Sequence, residues 1–288
     1  MIKWPTKRRV LNAYNKNPLD TVGLYSDDHL REFMLSCSQD DNYVTQGKLF
    51  DIFYSSYPDK KEDKPLSVLE VACGIAPALR AIMDKGVKAN LIGLDEQKCF
   101  ETNDFTFIPA SMADINAINS NIKKKSIDWA TITWCSLGYL PYDQIIAHIM
   151  CIYDLLKPNG CYYIGLGDYT TLARDTVADE PWWEDCHSKY GGYGCEFLGE
   201  INPSTGTREV YLCWTDSKFK TIKVAKQLTT VIVPLAVDVL LKCVYGSDKV
   251  HCYGLYADTH TSDENYIKCS IDDPRLDVLV IEKKEVRR

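Results

Sequence analysis

The sequence predicts a layered α/β fold: a seven-stranded, mainly parallel sheet with helices on both faces and an antiparallel β lid inserted near its end. Three observations carry that expectation. Residues 66–72 (LSVLEVA), a helical stretch closed by Gly86 and residues 89–94 (ANLIGL) form a strand–helix–strand unit of about thirty residues, the signature of a parallel pair. Strand and helix signals keep alternating as far as Leu166. After Asp168 the texture changes to short β runs joined by a turn-rich loop.

Residues 1–64 read as a helical cover, rich in tyrosine, that ends in the polar linker DKKEDKP at 59–65. Residues 65–175 form the sheet core. Its first helix places Leu79, Ile82 and Met83 at i, i+3 and i+4. Residues 105–109 make a third strand and 128–134 (DWATITW) a fourth. From 142 to 156, Ile145, Ile149, Ile152 and Leu156 lie on one helical stripe, which Pro158-Asn159-Gly160 stops. Residues 161–166 make the fifth strand. Residues 176–233 form the lid, with β runs at 195–201, 208–214 and 228–233 and a hairpin loop NPSTG at 202–206. Pro234 opens a last helix, and strands at 250–256 and 276–281 close the core of residues 234–288.

The 288 residues bury an ample core without staples, and 45% apolar with 25% charged residues is ordinary globular composition. A net charge of -7 disfavours binding along a phosphate backbone, so no nucleic-acid partner is expected. The 12 cysteines show no C-x-x-C spacing, which argues against a metal site and for buried thiols in a reducing, cytoplasmic setting. The longest apolar run, 231–241, contains Pro234 and Asp238 and falls well short of the roughly 20 residues a membrane span needs. Oligomeric state is not legible.

The turn ACGIAP at 72–77, between strand and helix, is the chief functional signal. Small residues there let backbone approach a ligand. It is not G-x-G-x-x-G, and Pro77 removes an amide donor, so a pyrophosphate loop is disfavoured. Asp95, at the end of the second strand, stands where a carboxylate accepts hydrogen bonds from both hydroxyls of a ribose. The same residues would also serve as a plain chain reversal and a cap of the next segment.

At this point the chain resembles the class I S-adenosylmethionine-dependent methyltransferases, which have a Rossmann-like sheet. VLEVACGIA at 68–76 resembles their first motif, LIGLD at 91–95 their ribose-binding motif, and PASMAD at 109–114 an adenine-contacting loop. Residues 127–140 resemble the fourth-strand motif, and LLKPNG at 155–160 the LKPGG turn, with Asn159 for the first glycine. The resemblance implies S-adenosylmethionine as cofactor. The methionine part would lie over Ala72, Cys73 and Gly74, with Glu70 ordering the turn and favouring the sulfonium by charge. Asp95 would hold the ribose and Ser111 and Met112 would flank the adenine, Ser111 replacing a common acid. Cys135 would present backbone near the methyl group.

The implied activity is methyl transfer to a nitrogen or oxygen of a small-molecule acceptor. The acidic chain, the lid and the absence of N-P-P-Y or D-P-P-Y after the fourth strand favour that over a protein or RNA acceptor. A non-catalytic module that binds the cofactor to regulate a partner is a further alternative. Acceptor-side candidates are Ser136, Tyr139 and Tyr169, with Trp182 and Trp183 as aromatic walls. Asp168 and His187 are the candidate bases, against the plainer roles of helix cap and loop histidine.

Overall fold

The computed structural model describes residues 5–20, 26–37, 40–58, 64–97, 104–166, 184–185, 190–257, 264–271 and 275–284. The chain divides into two compact units, one from residues 40–171 and 232–288, the other from residues 1–39 and 172–231.

The larger unit is built on α3 (Asp40–Ser56), β1 (Leu66–Val71), α4 (Pro77–Asp84), β2 (Ala89–Asp95), β3 (Thr106–Pro109), α5 (Ile115–Asn121), β4 (Ile127–Ile132), a 3-10 turn (Trp134–Tyr139), α6 (Tyr142–Leu155), β5 (Leu156–Gly165), α7 (Pro234–Tyr245), β10 (Val250–Ala257), β11 (Glu264–Cys269) and β12 (Leu276–Glu282). Its sheet has the order β11-β10-β12-β5-β4-β1-β2-β3. The strands from β5 to β3 pair in parallel; β12, β10 and β11 join antiparallel. The sheet thus holds eight strands where seven were expected. The additional one is β11, an edge strand with sequence ENYIKC in which Tyr266 is buried while Asn265, Ile267 and Lys268 are exposed. An edge strand with a single well-buried side chain gives no apolar run to read.

Alternation along the central strands loads both faces of this sheet. Val68, Trp129, Tyr163, Val278 and Val280 point to one side and pack with Leu49, Phe50 and Phe53 of α3 and Leu79 and Ile82 of α4. Leu69, Ala130, Tyr162, Ile164, Leu279 and Ile281 point to the other side and meet Ile118 of α5, Ile149 and Ile152 of α6, and Val237 and Leu241 of α7. Helix α6 ends at Leu155 rather than at the Pro158 stop, because Leu156 is already extended (ψ 138°) and pairs with Ile127. Asn159 then turns in the left-handed region (φ 63°).

The smaller unit contains α1 (Lys7–Lys16), α2 (Asp28–Cys37) and an antiparallel sheet of β6 (Glu184–Asp185), β7 (Tyr193–Asn202), β8 (Thr207–Thr215) and β9 (Ile222–Thr230). Period two again decides which helix covers which face. Val210, Leu212 and Trp214 pack with Leu30 and Phe33 of α2. Cys195, Phe197 and Cys213 pack with Val10 of α1. The residue at 194 is glycine because the Phe33 ring fills that space: a Cβ would lie 2.0 Å from the ring edge. Strand β9 starts at Ile222, earlier than the run expected from 228, since Lys223 and Lys226 interrupt its apolar pattern. Both lysines are held as ion pairs, Lys223 with Asp27 and Lys226 with Glu209. Among the described residues, no helix is long and apolar enough to cross a membrane.

Candidate functional site

The order of strands fixes where loops diverge. From β1 the chain steps to β2 and β3 on one side, then returns to β4 on the other. The carboxyl ends of β1 and β4 therefore form a switch point, where open α/β sheets bind ligands. Val71 pairs with Leu94 and with Ile132, and Leu94 pairs with Ile108. These four strands end on one row, so Ala72, Asp95, Pro109 and Thr133 open their loops at the same level.

The β1–α4 turn is unusual backbone. Ala72 (φ 50°), Gly74 (φ 48°) and Ala76 (φ 57°) all lie in the left-handed region. For the two alanines that conformation costs on the order of 1–3 kcal/mol each, and such strain persists where surroundings over-determine it. Two carboxylates do so here. Asp95 Oδ2 accepts the Gly74 amide at 2.9 Å while its Oδ1 accepts the Gln97 amide at 3.0 Å. Glu70, fully buried, accepts the amides of Ala78 (3.3 Å) and Leu79 (3.1 Å) in the first turn of α4. The Cys73 side chain points into the core towards Gly93, where a Cβ would meet its Sγ at 2.9 Å. Cys73 thus offers only backbone to the crevice, and glycine at 93 is what admits its thiol. A Cβ built on Gly74 would meet nothing within 4 Å, so open space adjoins that residue.

Burial raises the Asp95 pKa, and the Gln97 and Gly74 amides pull it back. Burial pushes Glu70 up to about 8, with the α4 amides opposing and the Asp95 charge reinforcing the shift. Folded Glu70 thus keeps its proton up to about pH 8, whereas unfolded Glu70 releases it near 4.5. Its stabilising share is complete below that lower value and lost as pH rises through the upper one. The stability of the wild type relative to Glu70→Gln is accordingly expected to fall over this window, by at most about 1.4 kcal/mol per pH unit. Urea denaturation of both chains at several pH values checks this; a constant difference would mean the carboxyl is ionised throughout.

After β3, Ala110 donates to the Asp95 carbonyl (3.0 Å), and the Ser111 hydroxyl accepts the Ala113 amide (3.3 Å). Met112 is nearly buried. Asp114 caps α5 through the Ala117 amide at 2.9 Å. After β4, the 3-10 turn includes Cys135, a half-buried Ser136 and an exposed Tyr139. The structure thus gathers Ala72, Cys73, Gly74, Asp95, Ser111 and Met112 at one end of the sheet, with Glu70 beneath them and the turn of Ser136 and Tyr139 following β4. Asp168, Tyr169, Trp182, Trp183 and His187 lie outside the described residues.

Two histidines escaped sequence reasoning. His148 sits on the buried stripe of α6 beside Ile145, Ile149 and Ile152, where a polar residue on an apolar face was the available signal. His29 stacks on Tyr190 (4.4 Å) and meets the tilted Trp214 ring (4.3 Å), contacts distant in sequence and without a local signature.

No family model matches the sequence, and no curated protein matches it. Solved structures do. Streptomyces venezuelae DesVI superposes with a TM-score of 0.59 at 14% identity, over 93% of this chain and 99% of that one. The sugar N-methyltransferase KedS8 from Streptoalloteichus gives 0.59 at 11% identity, over 88% and 92%. The amino pentose methyltransferase CalS10 from Micromonospora echinaspora, solved with S-adenosylmethionine bound, gives 0.57 at 10% identity, over 85% and 92%. The chain has the fold of the S-adenosylmethionine-dependent methyltransferases. In this methyltransferase fold the antiparallel additions are β10, β11 and β12 on one sheet edge and the separate sheet of β6 to β9.

Proposed function

We propose that the chain transfers a methyl group from S-adenosylmethionine to a nitrogen or oxygen of a small-molecule acceptor. The observation that carries this reading is the Asp95–Gly74 bond at the switch point, which ties the end of β2 to a strained turn with open space beside it. The residues fit that cofactor. Asp95 Oδ2 accepts the Gly74 amide and Oδ1 the Gln97 amide, and the roughly four lone-pair sites of a carboxylate leave room for a ribose hydroxyl. The backbone of Ala72, Cys73 and Gly74 would carry the methionine part, Ser111 and Met112 the adenine, and Cys135 backbone the region of the methyl. Glu70 acts by holding the turn through α4, since its carboxyl is enclosed.

When bound, the cofactor supplies an activated methyl on a sulfonium, so the residues have to position an acceptor in line and accept a proton where one leaves. Ser136, Tyr139, Tyr169, Trp182 and Trp183 would position the acceptor, with Asp168 or His187 receiving the proton. Two of the structural neighbours, a sugar N-methyltransferase and an amino pentose methyltransferase, support a small acceptor. Incubation of a metabolite extract with methyl-labelled S-adenosylmethionine, followed by mass identification, tests this. A labelled small molecule is expected; label confined to protein or RNA, or no transfer, would overturn it.

Asp168→Asn is expected to lower kcat by about 10-fold or more while leaving cofactor affinity nearly intact, as removal of a positioned base does. Turnover and melting temperature on one preparation decide: a less stable variant with full turnover leaves Asp168 only a cap.

A further inference from the structure

The loop that carries Ser111 and Met112 rests on a buried polar relay. His148 of α6 is fully buried and places Nδ1 2.9 Å from the Met112 carbonyl and Nε2 3.0 Å from the Tyr162 hydroxyl on β5. Their chemistry fixes the protons. A carbonyl only accepts, so Nδ1 carries the hydrogen and donates it. A neutral imidazole then has Nε2 free as acceptor, so the Tyr162 O–H donates to it. Burial pushes the His148 pKa down to about 4 and holds the Tyr162 phenol far above its usual range, so one arrangement persists across neutral pH. The direction of every bond from the sheet to the loop is therefore determined: Tyr162 to His148 to Met112.

We propose that His148 is a positioning residue for cofactor binding: its Nδ1–H sets the height and orientation of the Met112 peptide, and so the selectivity for the adenine base. This rests on the cofactor reading above. Above the loop, Ala110 is tied to the Asp95 carbonyl, so the ribose-side carboxylate and the adenine-side loop share one frame, and His148 supplies its lower anchor.

Two substitutions separate positioning from bulk stability. The amide nitrogen of His148→Asn falls where Nδ1 lies and keeps the donor to Met112, losing the bond to Tyr162. His148→Gln places its amide oxygen near Nε2, keeps the acceptor for Tyr162 and loses the donor to Met112. Each forfeits one buried bond, so melting temperatures should drop alike. Affinity for S-adenosylhomocysteine, measured by calorimetry, should stay within about 3-fold of wild type for the Asn variant and fall about 10-fold for the Gln variant. Preference for S-adenosylhomocysteine over S-inosylhomocysteine should shrink in the Gln variant alone. Tyr162→Phe removes one oxygen, leaves Nε2 without its donor and so loosens the ring that holds Met112, and should weaken binding a few-fold, which keeps the test available should a His148 variant not fold. Equal affinity and equal base preference in the Asn and Gln variants would overturn the positioning role. A wild-type chain that binds no S-adenosylhomocysteine would overturn the cofactor reading, and this inference with it.

Discussion

Replacing Asp95 with alanine is expected to weaken binding of S-adenosylhomocysteine by on the order of 2–4 kcal/mol, roughly 30- to 1000-fold. Two losses combine. The ribose hydroxyls would lose a carboxylate acceptor, and charge-assisted bonds are about twice as strong as neutral ones. The Gly74 amide would also lose its 2.9 Å partner, which frees a turn held in left-handed backbone. Asp95→Asn keeps the size and one acceptor oxygen, so it should fall between alanine and wild type. Isothermal calorimetry on the three chains measures this, and unchanged affinity in the alanine variant removes the ribose assignment.

Gly194→Ala should destabilise the smaller unit by about 3 kcal/mol, at the upper end of what overpacking costs. The added methyl would sit 2.0, 2.3 and 2.5 Å from three atoms of the Phe33 ring, and that ring is 1% exposed with little room to swing. Trimming the ring should restore part of the loss: Phe33→Leu in the Gly194→Ala background is expected to cost less than the sum of the single changes. Urea denaturation of the four chains reads the coupling. Additivity would mean that the strand, not the ring, absorbs the methyl.

Much of the larger unit was legible because its strands are buried on both faces and bounded by strong punctuation. The run LSVLEV followed by a small-residue turn and Pro77 is visible in sequence, and β1, β2, β3, β4, β10 and β12 fall within two residues of the expected runs, whereas β5 begins five residues early, at Leu156. Strand order was not legible, since it depends on which β edges meet across loops rather than on any local pattern. Strand β11 went unseen for the same reason that it is tolerated: an edge needs little apolar sequence. The start of β9 was hidden by lysines whose partners, Asp27 and Glu209, lie elsewhere in the chain.

Within the candidate site the contrast is sharper. Gly74 and Asp95 were found because turn chemistry and spacing are written locally; their mutual bond across 21 positions needed the fold. Cys73 was named for its place in the turn, but the direction of its thiol depends on the missing side chain at Gly93. Glu70 was expected to order the turn and to favour the sulfonium by charge, but which amides its carboxyl accepts, those of Ala78 and Leu79, needed the fold. The His148 relay joins three elements, so no window of sequence contains it.

The place of β12 bears on how the chain comes off the ribosome. This strand lies between β5 and β10 in the middle of the sheet, and its residues Val278 to Ile281 are almost wholly enclosed. More than a hundred residues separate it from β5, its neighbour. At about 5–20 residues per second of synthesis, β5 waits on the order of ten seconds with one side unpaired. For that interval the nascent sheet displays Tyr162 and Ile164 beside free amides and carbonyls, an inviting template for another chain's strand. Yield in the cell should therefore depend on translation speed after residue 165 and on helper proteins that shield that edge, even where the finished protein is stable.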